Sequence, residues 1–297
     1  MGEKYDLDNS SNHKAAAGYM TSTGSVTGPT INMPPKSQAT VYPSSTLGAS
    51  DLSTKVECME GKAIAVDRTM FWTGPDAASA EAHCATGVTS AATTWYMPEG
   101  SSNWDFECYL LIQNPGATVA NCQVTWMIEG EAAVTSPVAV PAGSRSTFNM
   151  ADFIGAKDSS IKVVSDQPVI PERAMYRNNR REGHDSTGTT TAAADYYLAE
   201  GCTGFGFTTY VLVQNPQNTP TDVTITYQAA GGPVPGPSFQ MPANSRRTIC
   251  VNDSTAIPGP DHSFSTHVHG SAPVIAERAM YWNSRGTGTY TNGGYAD

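Results

Sequence analysis

In the stretch VTITYQ, apolar and polar residues alternate: Val223, Ile225 and Tyr227 point one way, and Thr224, Thr226 and Gln228 the other. That period of two is the pattern of an antiparallel strand with one face on a core. CQVTWM, at Cys122 to Met127, repeats it. Turn-forming clusters such as QNP, AAGG, MPAN and VNDS punctuate the chain at roughly the 8 to 12 residue spacing of a sandwich. The runs YYLAEG, YVLVQ, VTITYQ, PSFQM, RRTICV, FSTHVH and PVIAERAMYW predict about seven strands in about 100 residues, the size of an immunoglobulin-like β-sandwich.

The pattern repeats. WYMPEGSSNWDFECYLLIQNP, from Trp95, matches YYLAEGCTGFGFTTYVLVQNP, from Tyr196, and VPAGSRSTF, from Val140, matches MPANSRRTI, from Met241, at the same shift. PVIAERAMYWN at Pro273 matches PVIPERAMYRN at Pro168 and, more loosely, AIAVDRTMFWT at Ala63. A string needed once per structural unit is a packing motif, and tandem domains of about 100 residues follow. The expected organisation is all-β: three tandem immunoglobulin-like sandwiches over residues 1–90, 91–193 and 194–297, joined through Thr/Ala/Gly-rich linkers. The first begins too late to contain the opening strand, so an open edge is expected where that strand lies in the others. Residues 1 to 14 folding back, or a strand from elsewhere, would cover it.

Charged residues make up 15% of the chain, below the roughly 25% of an average domain, which fits short strands and turns. The formal net charge of -10, with no basic cluster beyond Arg180 and Arg181, argues against nucleic acid or an anionic membrane as partner. No apolar run suffices for a membrane-spanning helix. MGEKYDLDNSS lacks the apolar centre of a signal peptide, so export implies a leader already removed or a route that uses none. Six cysteines without a C-x-x-C pair favour disulfides in an oxidising compartment over zinc. The expected bridges are Cys58–Cys84, Cys108–Cys122 and Cys202–Cys250.

The order AEG, YVLVQNP, PANSR-x-T, FST-x-V and PVIAERAMYW, followed by GHDS at Gly183 to Ser186, resembles the tandem repeats of large exported bacterial cell-surface proteins whose domain has no assigned function. The resemblance implies a β-sandwich fold and a location at the cell surface or outside the cell, and it implies no chemistry.

Candidate chemistry is sparse. On a strand, Glu277, Ala279 and Tyr281 face one side while Arg278, Met280 and Trp282 face the other, so Arg173 and Arg278 must find carboxylates on other strands. Glu99 with Arg145 and Glu200 with Arg246 occur together in the second and third repeats and are the candidate ion pairs. His267 and His269 share a strand face, as two metal ligands would, but only His262 lies near in sequence, so they are expected to be surface imidazoles and no metal or cofactor is expected. No nucleophile elbow or triad is present, and GHDS lies in a linker, so enzymatic activity is not expected. Sequons at Asn9 and Asn252 permit glycosylation. The expected function is a structural subunit, a filament, stalk or surface layer that polymerises head-to-tail with itself or joins other surface proteins by strand exchange or edge pairing. Tyr290 and Tyr295 are candidate anchors in a donated C-terminal tail. The competing class is an adhesin or glycan-binding module, with Trp104 and Phe205 as its aromatic platform.

Overall fold

The computed structural model describes residues 2–8, 12–75, 80–253, 263–282 and 293–296. The protein is all-β. The first segment holds β1 (Gly2–Asp8), β2 (His13–Thr21), β3 (Gly24–Met33), β4 (Gln38–Val41), β5 (Ser53–Cys58), β6 (Ala65–Trp72) and β7 (Glu81–Thr86). The second holds β8 (Ala92–Met97), β9 (Phe106–Asn114), β10 (Ala120–Ile128), β11 (Val134–Val140), β12 (Ser144–Asn149), β13 (Ser159–Arg177) and β14 (Glu182–Thr187). The third holds β15 (Ala193–Leu198), β16 (Phe207–Asn215), β17 (Thr221–Ala229), β18 (Gly232–Met241), β19 (Ser245–Cys250), β20 (Phe264–Trp282) and β21 (Gly293–Ala296).

The second and third segments are each organised by one strand of 19 residues. The first half of β13 pairs with β10 and β8, and its second half pairs with β9 and β14. A register shift between Val164 and Val169 marks the change of sheet. β20 does the same, first with β17 and β15, then with β16 and β21. One continuous strand therefore belongs to both layers of each sandwich. Sequence periodicity read it as two short strands, because a change of partners leaves no mark on alternation.

In the first segment the corresponding strand is broken in two. β5 pairs with β2, while β6 pairs with β1 and β7, giving sheets of order β3-β2-β5 and β4-β1-β6-β7. Among the described residues nothing pairs with β5 on the side where β8 holds β13 and β15 holds β20. The described N-terminal residues do not cover that edge: β1 joins the other sheet, between β4 and β6.

The missing strand has a measurable effect on the core. Trp95 on β8 lies opposite Val163, and its indole donates hydrogen bonds to the Ala92 and Val169 carbonyls at 3.1 and 2.8 Å. Beneath it Leu110, Val124, Trp126, Ile161, Val163 and Val169 are fully buried. Tyr196 on β15 sits likewise opposite Val268, and Val268 and Val274 are fully buried. In the first segment the corresponding cluster of buried residues is Ala15, Met33 and Val41, and Val56 and Ile64, which occupy the places of Val163 and Val169, are half-buried. The opening aromatic pairs do not act as pairs: the strand period turns Tyr96 and Tyr197 outward, and Tyr197 is 75% exposed.

The expected disulfides are not formed, and all six cysteines are free thiols. Topology explains this. β13 lies between β9 and β10, so Cys108 sits opposite Met175 and Cys122 opposite Ser165, in the two different layers of the sandwich. Cys58 on β5 and Cys84 on β7 also belong to different sheets. Cys202 bridges to Ser263, whereas Cys250 is held opposite Tyr210. Burial pushes the Cys108 thiol up to about 12, which makes it a small apolar core residue.

The contrast in cover gives a differential prediction. Val163→Ala should destabilise the protein by about 2 kcal/mol, whereas Val56→Ala, on the uncovered edge, should cost well under about 1 kcal/mol. Urea unfolding of the two variants measures it, and equal costs would mean that the β5 edge is covered.

Candidate assembly interface

The threefold string lies on β6, on β13 and on β20. Alternation divides it into two faces. Arg173 and Met175 point into the sandwich, while Glu172, Ala174 and Tyr176 point out of it; Arg68, Met70 and Trp72 on β6 repeat the inward set. The inward set of one segment meets the outward set of the next.

At the first junction the Arg68 guanidinium grips the Glu172 carboxylate in bidentate fashion at 3.0 and 2.6 Å and also reaches Asp185. His83 Nδ1 lies 3.0 Å from the other Asp185 oxygen. Met70 and Trp72 pack on Ala174 and Tyr176, with Tyr109 and Leu111 alongside. The Trp72 and Tyr176 rings meet edge to face, with centroids 5.2 Å apart. Gly183 makes the approach possible, because a Cβ there would fall 2.7 Å from the Tyr176 ring and 3.0 Å from Trp72.

The second junction repeats the first, one segment further along. Arg173, fully buried, donates to Glu277 at 2.8 Å and lies 2.9 Å from Glu99. Leu212, Ala279 and Tyr281 form the apolar patch with Phe106 and Tyr210. Arg177 takes the place of Trp72, and its guanidinium stacks 5.2 Å from the Tyr281 ring centroid. His184 takes the place of His83, 2.9 Å from the Tyr281 hydroxyl. That hydroxyl donates to Glu99 at 2.7 Å, so the imidazole must donate through Nε2. Outlying contacts also repeat: Gln113 reaches the sulfur of Met20, and Gln214 that of Met127.

These charges are held in place electrostatically. Burial works against the Arg173 charge, but Glu277 and Glu99 outweigh it and keep the guanidinium charged. Burial raises Glu277 and Glu172 against the opposing pull of their arginines. Asp185 is also buried, yet His83 and Arg68 hold it below the usual carboxylate range. Burial, reinforced by Arg173, drives His184 well below 6.5 and keeps it neutral.

The carboxylate–arginine partners differ from those expected. Glu99 meets Arg173 instead of Arg145, and Glu200 meets Arg278, whose Nη1 donates to the Glu200 carbonyl at 2.8 Å. Arg246 crosses the second junction to the Gly100 carbonyl at 3.0 Å and to Glu129. Arg145 lines a small cleft at the first junction with Arg68, Gln113 and Glu172. The members of each expected pair thus lie in different places, Arg145 at the first junction and Glu99 at the second.

Trp104 and Phe205 are 70% and 67% exposed and do not cap a core edge. Both have left-handed backbones, φ +56° and +54°, a costly conformation for bulky side chains. Tyr295 lies on β21, opposite Met280 of its own segment, so that part of the tail is folded back; Tyr290 is outside the described residues. The Asn252 amide is engaged, accepting from Thr209 N–H at 2.9 Å and donating to the Phe207 carbonyl at 2.9 Å; Asn9 is outside the described residues. Among the described residues no helix is long and apolar enough to cross a membrane.

No protein-family model and no curated protein matches the chain. Among solved structures it is similar to Thermotoga maritima 1070, at 20% identity over 34% of this chain and 96% of that one, with a TM-score of 0.31. It is also similar to the Anabaena sensory rhodopsin transducer, at 20% identity over 30% and 96% of the two chains, with a TM-score of 0.27.

His184 makes the second junction sensitive to acid. Its folded value lies below the unfolded value near 6.5, so on acidification the unfolded chain binds the proton first. The stability contributed by the neutral imidazole is therefore complete above about pH 6.5 and is lost below it, at up to about 1.4 kcal/mol per pH unit. His184→Gln keeps a donor for Tyr281 and removes the titration. Urea midpoints at about pH 7.5 and 5.5 should fall less for the variant than for the parent protein, and equal slopes would exclude His184 as the sensor.

Proposed function

We propose that the protein is a structural subunit of an extracellular or cell-surface assembly, stacking its sandwiches head to tail within the chain and between chains. The observation that carries this is the repetition of one heterologous contact: Arg68 to Glu172 at the first junction, Arg173 to Glu277 at the second. A contact whose two sides differ, and which has already been used twice in the same register, generates an open stack when continued. The outer face of β6 offers the next acceptor, with Asp67 and the 39% exposed Phe71 in the places of Glu172 and Tyr176. The edge of β5, which pairs with nothing on that side among the described residues, is suited to a strand with aromatic residues at its inward positions, which would supply what Trp95 supplies to the second segment. Location at the cell surface rests on the sequence resemblance, since the free thiols lend it no support.

A second reading, a glycan-binding module, is favoured by Trp104 and Phe205. Two exposed aromatic side chains on strained turns at matching places are the kind of surface on which sugar rings stack.

Sedimentation velocity and electron microscopy of the purified chain test the first reading. Concentration-dependent linear polymers are expected, and Asp67→Lys with Phe71→Ala should dissolve them while leaving the fold intact by circular dichroism. A strictly monomeric protein at all concentrations would overturn it. If Trp104→Ala abolished binding to a glycan array, the second reading would take its place.

A further inference from the structure

The outward face of the third segment carries three metal-ligating side chains that the folded chain brings together. His267 and His269 alternate along β20 and project from the same side. The neighbouring strand β15 runs antiparallel, with Asp195 opposite His269 and Tyr197 opposite His267. The Asp195 Oδ1 lies 2.8 Å from His267 Nε2 and 2.9 Å from His269 Nδ1, and the three ligand atoms fall within 4.8 Å of one another. The third group is an aspartate more than seventy residues upstream, which only strand pairing could reveal; His262 is outside the described residues.

From this geometry we infer that Asp195, His267 and His269 form a binding site for a borderline divalent transition cation of the zinc, nickel or copper class. Two imidazoles and one carboxylate are the donor set such ions prefer, and three protein ligands leave further coordination positions open to water or to an exogenous group. The groups now share hydrogen bonds of about the length that ligands of one ion keep from each other, so binding needs only a small withdrawal of the carboxylate and loss of the imidazole protons that point at it. The His267 ring is held in orientation by Tyr197, stacked on it at 4.6 Å with the planes 4° apart. Rings fixed before binding lower its entropic cost.

Comparison within the chain strengthens the assignment. The equivalent places in the second segment are Thr94, Lys162 and Val164, and Lys162 there lies over the Tyr96 ring. All three positions change together to ligands in the third segment, while the aromatic that stacks beside them is kept.

Isothermal titration calorimetry of the full chain with zinc chloride at pH 7.5 tests the site. Because a second cluster, His13, Cys58 and Glu60, also brings a thiol, an imidazole and a carboxylate together, each variant is compared with Cys58→Ser. Saturable binding that survives Cys58→Ser is expected. Asp195→Asn, His267→Ala and His269→Ala should each weaken it by more than the roughly 10- to 100-fold that even outer-shell changes cost. All three residues are at the surface, and circular dichroism of each variant checks that the fold is retained. Cobalt substitution should give visible absorption bands that the same three variants lose. Absence of binding, binding unchanged by all three variants, or binding removed by Cys58→Ser alone would overturn the assignment.

Discussion

The structure turns on a charge that has no access to water. The Arg173 side chain is completely buried, and its guanidinium is compensated by Glu99 from its own segment and Glu277 from the next. Removing either partner from such a group leaves an uncompensated charge, a change costing about 3 to 5 kcal/mol. An apolar contact tolerates sliding by a fraction of a residue, but a buried ion pair does not. The junction between the second and third segments is therefore fixed in register as well as in contact, and the bidentate Arg68–Glu172 pair fixes the first in the same way.

That constraint accounts for the composition of the repeated string. Alternation sends its arginine to one face and its acid to the other, so each segment offers an arginine forward and a carboxylate backward. The aromatic at the fifth place, Tyr176 or Tyr281, covers the pair with ring surface, and Met175 fills the sandwich beneath while Met70 packs into the junction. The sixth place is free to vary between Trp72 and Arg177 because both can press on the neighbouring ring, one by its edge and the other by its charge.

Much of the fold was legible in the sequence. The strand alternation and the all-β class were visible, because period is a local property. The string could also be recognised as packing and its arginines as seeking partners on other strands. What was hidden depended on distant topology. Cys108 and Cys122 looked like neighbours across a hairpin, yet β13 runs between their strands. Glu99 and Arg145 recur together although Arg145 lines the first junction and Glu99 the second, and co-occurrence could not say that Arg173 holds the carboxylate. Asp195 joins His267 and His269 only through the pairing of β15 with β20.

The long strand shared by two sheets also settles how tension would travel. The chain comes into the second segment through β8, whose first residue, Ala92, lies opposite Val169, and it leaves through β14, whose last residue, Thr187, lies opposite Glu172. Both places are near the middle of β13, three positions apart. In the third segment the corresponding places lie five positions apart, with Ala193 opposite Val274 and Ala296 opposite Ala279. A pull along the chain is thus handed across a short piece of one strand, and the bulk of each sandwich hangs beside the line of force. In a stalk or fibre built this way, stretching would load the middle of β13 and its flanking ladders while the apolar cores stayed mechanically idle.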